Sequence, residues 1–325
     1  MSDKLRTLSP FPYFGGKSSV ASAVWQRLGT PKQYIEPFCG SAAVLLTCPS
    51  PASLEVICDG SGFIANFWRA VKHQPDIVAE FADYPVSHID LGARHVWLMA
   101  QRERIFDSMQ NPDWIGDAKV AGWWLWGQCC WIGGGWCCWF DEKKIPHISD
   151  AGLGVMAIGK IPNIGDAGVG VMAIGKIPHI GDAGLDNENT LTSCGRTARL
   201  WLRGLSKRLE RVRIIHGDWA RCLNNHYGGA DTAIFLDPPY RSYEKLYSQE
   251  TESVADSVES YARENQNLRI ALCGHIGDYN LEGWDVCEWS RGRLTYSGGQ
   301  TTDKECIWYS PACLPVHKAQ KGMFE

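Results

Sequence analysis

The sequence predicts an α/β protein: an open, mostly parallel sheet with a C-terminal β-hairpin, plus an inserted region of different composition. Three observations carry this. Ala233-Ile234-Phe235-Leu236 is an uninterrupted apolar run of strand length, the pattern of a strand covered on both faces of a parallel sheet. Two earlier apolar runs, around Tyr34-Ile35 and from Leu54 to Cys58, are each followed by a turn and a helix-like stretch, the alternation that parallel pairing requires. Between residues 86 and 194 that alternation breaks, with a Trp/Cys/Gly-rich stretch at 123–139 and repeats across 144–184. The expected organisation is therefore a discontinuous domain, 1–85 and 195–325, around an insertion at 86–194.

A chain of 325 residues suffices for such a domain and its insertion, at roughly 150 residues per domain. Hydrophobic content of 45% with 21% charged residues fits a water-soluble globular protein. No apolar run is long enough to span a bilayer and no basic-plus-apolar leader opens the chain, so a cytoplasmic location is expected. Thirteen cysteines, many inside apolar strings, suit buried reduced thiols better than a disulfide framework. A net charge of −4 does not advertise a polyanionic partner, so the distribution of charge matters more than its sum.

Taken in order, Pro12-Tyr13-Phe14-Gly15-Gly16-Lys17-Ser18 ends like a phosphate-binding loop. That loop needs a glycine five residues before Gly16 and a preceding strand, and position 11 is Phe11, so nucleotide hydrolysis is rejected. Val20, Val24 and Leu28 then give helical spacing, with Gly29 as the stop. From Tyr34 to Val44 the pattern is a short strand, a sharp turn at Gly40 and a helix start built on Ser41 and Ala42. Small residues there let a ligand approach the backbone. The three spaced glycines that pyrophosphate wants are missing, which disfavours a nicotinamide cofactor. The strand Leu54–Cys58 ends in Asp59, placed to accept from two ribose hydroxyls or to cap the helix carrying Ile64, Phe67, Trp68 and Val71.

In the insertion, six tryptophans and four cysteines fall within 123–139. Adjacent cysteines do not readily share one tetrahedral ion, so no metal is expected and a packed aromatic core is the preferred reading. A period of 16 follows, with Lys144, Lys160 and Lys176 in equivalent places and one aspartate per unit. Its strand-like pieces and Asp-Ala-Gly turns suggest hairpins or a glycine-rich arm rather than helices. Next, Arg199, Arg203 and Lys207 share one helix face opposite Leu202, Leu205 and Leu209. Ile214 to Trp219 reads as a strand and turn containing Gly217-Asp218. Leu268–Cys273, Trp284–Trp289 and Cys306–Tyr309 read as the last strands, the final two a hairpin joined by the glycine-rich turn Arg291–Gly299.

The stretch Asp237-Pro238-Pro239-Tyr240 closes the most apolar strand, where open α/β sheets bind their ligands. Asp237 and the Pro238 carbonyl are two acceptors able to hold both hydrogens of an exocyclic amine. Pro238 and Pro239 stiffen the turn, and Tyr240 offers a flat face to a planar base.

On these residues, and on Glu36-Pro37-Phe38-Cys39-Gly40, the sequence resembles the amino-methyltransferases that move a methyl group from S-adenosylmethionine to the N6 of adenine in DNA. The order of lysine motif, cofactor motif, insertion and Asp-Pro-Pro-Tyr is that of the Dam-like bacterial and phage members. The resemblance implies a Rossmann-like class I methyltransferase fold and S-adenosylmethionine as cofactor. It puts Tyr13 against the cofactor and Lys17 near the cofactor carboxylate or the target base. Glu36, Phe38 and Gly40 fall in the cofactor motif, Asp59 at the ribose, and Asp218 accepts from the cofactor's adenine amine. Double-stranded DNA with a flipped adenine is the implied partner. Beside such a site Arg199, Arg203 and Lys207 are candidate phosphate contacts. For Lys144, Lys160 and Lys176, a DNA-facing edge and a purely structural insertion are both open. The alternatives of function are adenine methylation in RNA, N4-cytosine methylation, against which Asp237 argues, and a DNA-binding protein with an inactive cofactor fold.

Overall fold

Among the described residues, seven strands form one sheet in the order β3-β2-β1-β4-β5-β7-β6. The computed structural model describes residues 10–11, 16–84, 87–130, 136–137, 187–223, 231–241, 253–289 and 305–315. By their internal contacts they fall into two units: Lys17–Gly60 with Arg211–Glu325, and Met1–Gly16 with Ser61–Glu210.

The first unit holds the whole sheet. β1 (Gln33–Glu36) lies between β2 (Leu54–Asp59) and β4 (Thr232–Leu236), parallel to both. β3 (Val212–His216) continues from β2 and β5 (Arg269–His275) from β4, again parallel. β7 (Glu305–Tyr309) runs antiparallel to β5, and β6 (Asp285–Trp289) antiparallel to β7. The continuous apolar run predicted for β4 is justified: all five of its residues are buried.

Alternate residues of β5 and β7 face opposite sides. Ile270, Leu272, Cys306 and Trp308 join one apolar cluster with Ala255, Val258 and Ala262 of a later helix (Val254–Glu264). On the other side, Arg27 of α1 (Ala21–Leu28) lies over the Tyr309 ring at 4.6 Å and pairs with Asp285 at 2.6 Å. Gly29 ends α1 at φ 66°, and a Cβ there would stand 2.7 Å from Leu314 Cδ1. The positive φ calls for glycine, whereas the Leu314 methyl is the end of an exposed side chain that can move aside. The short α2 (Ala43–Leu46) follows β1.

The second unit is helical: α3 (Gly62–His73), α4 (Pro75–Ala82), α5 (His88–Ala100), α6 (Arg102–Ser108), α7 (Ala118–Cys130) and α8 (Asn187–Leu209), which makes the Val254–Glu264 helix α9. The span 87–130, part of the 86–194 region where the sequence departs from strand–helix alternation, carries α5, α6 and α7. The Trp-rich stretch begins inside α7, where Trp124 and Trp126 are buried. Phe11 packs edge-on against Phe67 and Trp124 at centroid distances of 5.2 and 4.9 Å. Asp117 caps α7 by accepting from Val120 N at 2.9 Å, and Asn66 of α3 exchanges two hydrogen bonds with the Asp117 backbone. The helices α3, α4 and α8, assigned from sequence to the sheet domain for the most part, pack in this helical unit, because their apolar faces meet α7 and one another.

The repeats with Lys144, Lys160 and Lys176, the turn Arg291–Gly299, and Tyr13 lie outside the described residues. Among the described residues no helix is long and apolar enough to cross a membrane, and no group of His, Cys, Asp and Glu is arranged to hold a metal ion. Their cysteines are all free thiols, and all but Cys48 and Cys287 are buried.

Candidate active site

The chain leaves β1 towards β2 and β3 on one side of the sheet and fills β4 and β5 on the other, so the strand order reverses between β1 and β4. Crevices form outside the carboxyl ends at such a point, because the connections on either side depart in opposite directions. The turn carrying Phe38 and Gly40 follows β1, and Asp237 follows β4. These are the two neighbouring carboxyl ends, since Ile35 pairs with Ile234 in the ladder.

Backbone shape explains the β1 turn. Gly40 has φ 43° and Ala42 φ 49°, both left-handed. Asp59, the last residue of β2, accepts from Gly40 N through Oδ2 at 2.9 Å and fixes the turn against its neighbour. Asp59 therefore does not cap α3, whose N-cap is Ser61. Glu36 is buried and its Oε2 accepts from Tyr34 Oη at 2.9 Å and Leu45 N at 3.0 Å, which ties β1 to α2. Burial and the Glu36 carboxylate raise the Tyr34 hydroxyl well above its ordinary pKa, so it stays a donor. Cys39 is likewise held as a neutral thiol by burial and by Asp59.

At the end of β3, Gly217 has φ 123° and Asp218 accepts from Ala220 N at 2.9 Å, capping the 3-10 turn Trp219–Cys222. The Trp219 ring stacks on Phe38, centroids 6.0 Å apart at 25°. Trp219 was not singled out from sequence. Its signal, an aromatic directly after a Gly-Asp pair, gains meaning only when the β1 turn is beside it.

Around Asp237 the structure assembles a buried ion cluster. Lys17 Nζ contacts Oδ1 at 2.7 Å and Oδ2 at 2.8 Å, and stands 4.0 Å from Glu305 Oε2. Lys17 is only 3% exposed. Burial alone would lower its pKa, but the Asp237 carboxylate, with Glu305 behind it, outweighs burial and raises it, so the ammonium is firmly charged. Burial and Asp237 push the Cys273 thiol far up, which leaves it neutral. Tyr240 Oη lies 3.4 Å from both Asp237 Oδ1 and Glu305 Oε2. Its ring meets His275 edge-on at 4.6 Å, has Lys17 Nζ 5.4 Å from its centroid, and is 8% exposed. Sequence reasoning missed Glu305 and His275, which sit opposite each other in the β5–β7 ladder.

The structure thus brings Lys17, Phe38, Gly40, Asp59, Asp218, Asp237, Pro238, Pro239 and Tyr240 to the carboxyl rim or its immediate turns. In the helical unit, Arg203 forms a two-pronged exposed ion pair with Asp76 at 2.6 and 3.0 Å, while Arg199 is exposed. Lys207 stands on the same face of α8.

An acceptor-rich rim at the switch point of a mostly parallel sheet, without a glycine fingerprint for dinucleotides, is consistent with a Rossmann-like methyltransferase fold. Residues 13–90 match the family of D12 class N6 adenine-specific DNA methyltransferases. No curated protein matches the chain. Over those residues the chain is similar to enzymes that methylate the N6 of adenine in DNA. Such an activity implies S-adenosylmethionine as methyl donor and DNA as substrate.

Proposed function

We propose that the carboxyl rim of this sheet methylates an adenine turned out of duplex DNA by direct in-line transfer. The reading is carried by one observation: Asp237 and the Gly40 turn flank the same strand-order reversal, on adjacent carboxyl ends. The rim also suits the methyl donor. Gly40, Gly60 and Gly217 keep backbone bare at the ends of β1, β2 and β3, and at Gly60 a Cβ would meet nothing nearer than 3.9 Å. We assign Asp59 at the end of β2 to the ribose hydroxyls, Asp218 after β3 to an adenine amine, and the stacked Phe38 and Trp219 to an adenine face. Bound there, S-adenosylmethionine supplies a sulfonium methyl to a nearby nucleophile.

The chain's own residues do the rest. Asp237 accepts one hydrogen of the target amine and the Pro238 carbonyl the other, which turns the nitrogen lone pair out of the ring plane. As the amine attacks, positive charge grows on nitrogen, and the Asp237 carboxylate stabilises it. Pro238 and Pro239 hold the two acceptors in fixed directions, so alignment contributes much of the rate. Lys17 keeps Asp237 oriented. Tyr240 stacks on the flipped base, which has to displace part of the cover that leaves the ring 8% exposed. Arg199, Arg203 and Lys207 are proposed phosphate contacts, Arg203 after giving up Asp76.

The test is nucleoside mass spectrometry of unmethylated DNA incubated with protein and S-adenosylmethionine, followed by mapping of the modified positions. N6-methyladenine is the expected product. Its absence from a folded preparation that binds the donor, or N4-methylcytosine in its place, overturns the reading. Running duplex, single-stranded DNA and structured RNA in parallel assigns the substrate.

A further inference from the structure

Asp237 cannot serve two cations equally. In the structure both its oxygens contact the Lys17 ammonium, at 2.7 and 2.8 Å. The proposed reaction asks the same carboxylate to stabilise positive charge developing on the target nitrogen. A carboxylate already neutralised by an ammonium does this poorly, and an ammonium that close to the reacting nitrogen opposes the charge outright. The cluster contains a second carboxylate for Lys17. Glu305 Oε2 lies 4.0 Å from Nζ, its side chain is 16% exposed, and it shares the Tyr240 hydroxyl with Asp237 at 3.4 Å to each. It is fixed in place by β7, opposite His275, whose ring packs on Tyr240.

We propose that Glu305 is a positioning residue that draws the Lys17 ammonium away from Asp237 when the target amine binds, so that Asp237 faces the reacting nitrogen with its charge uncompensated. This rests on the functional reading above. The movement is small, because closing 4.0 Å to a hydrogen-bonding distance needs only about an ångström of ammonium travel. No charge leaves the cluster: two carboxylates and one ammonium are present before and after. The Tyr240 hydroxyl stands 3.4 Å from each carboxylate, so it can donate to Glu305 and leave Asp237 to the amine.

Glu305→Gln removes the charge and keeps the shape and the contact with Tyr240, and Glu305→Asp keeps the charge. The expected result is a fall in kcat of about tenfold or more in Glu305→Gln, with the KM for S-adenosylmethionine changed less than about twofold, and clear retention of activity in Glu305→Asp. If Glu305 acts through Lys17, the Glu305→Gln effect shrinks to under about twofold in a Lys17→Met background. Wild-type kcat in Glu305→Gln, or the same fold-loss with and without Lys17, overturns the proposal. A second readout does not use turnover: the 15N resonance of the buried Lys17 ammonium in the protein alone. A shift in Glu305→Gln supports the pairing of Lys17 with Glu305, and an unmoved resonance overturns it. A wild-type protein that forms no N6-methyladenine overturns the functional reading and the hand-off together, while the resonance still decides whether Glu305 engages Lys17.

Discussion

Replacing Asp237 by alanine strands a buried ammonium, and the cost follows from the distances. Lys17 is 3% exposed, so it cannot recover its hydration by a rotamer change. Removing one partner of a buried pair costs roughly 3–5 kcal/mol. Glu305 at 4.0 Å moderates this. The expected destabilisation is therefore near the lower end of that range, about 3 kcal/mol. For a unit of this size that lowers the melting temperature by roughly 6–12 °C. Turnover falls in parallel by about a hundredfold or more, since a direct acceptor for the reacting amine is gone. Scanning calorimetry and methyl-transfer assays on Asp237→Ala, Lys17→Met and the double variant separate the two effects. The double variant should regain stability, because the buried ammonium is gone, and should not regain turnover. An unchanged melting temperature in Asp237→Ala refutes the buried-pair argument. Unchanged kcat removes Asp237 from the chemistry.

Asp59→Ala should weaken S-adenosylmethionine binding by about tenfold, measured by titration calorimetry, because it removes both the proposed ribose acceptor and the anchor of the Gly40 turn. Gly122→Ala should destabilise the helical unit by about 1–3 kcal/mol in denaturant unfolding. There the new Cβ would lie 2.4 Å from Phe81 Cβ and 2.7 Å from the Val78 carbonyl, neither of which is a flexible side-chain end. The Lys17 ion pair also gives a pH window. Its folded pKa is raised above the ordinary 10.5, so its contribution to stability is complete below 10.5 and is lost as pH climbs through the folded value. Melting temperatures from pH 8 to 12 should fall more steeply above 10.5 in wild type than in Lys17→Met. Equal slopes would dissociate Lys17 from alkaline stability.

The strands were legible because each is marked within its own few residues. Ala233–Leu236 is apolar throughout, and Tyr34-Ile35 and Leu54–Cys58 end at Pro37 and Asp59. The rim residues were legible for the same reason, since Asp59, Asp218 and Asp237 each lie within two residues of a strand end. The helices of 87–130 were hidden. Trp123 to Cys130 is apolar nearly all round, so the alternation of polar and apolar faces that marks a surface helix is absent. Grouping α3, α4 and α8 with α7 was equally out of reach, because an apolar helix face does not state which surface will cover it.

The sequence by itself determined which residues could do the chemistry: two acceptors at the end of the most apolar strand, a glycine turn after the first strand, and an acid closing the second. Only the tertiary structure decided how their charges are balanced. Lys17 and Asp237 are 220 positions apart, and Tyr240 and Glu305 are 65 apart. Local pattern carries no information across such separations. Sheet order puts β4 beside β5 and β5 beside β7, and in that half-buried corner one ammonium stands within 4.0 Å of two carboxylates.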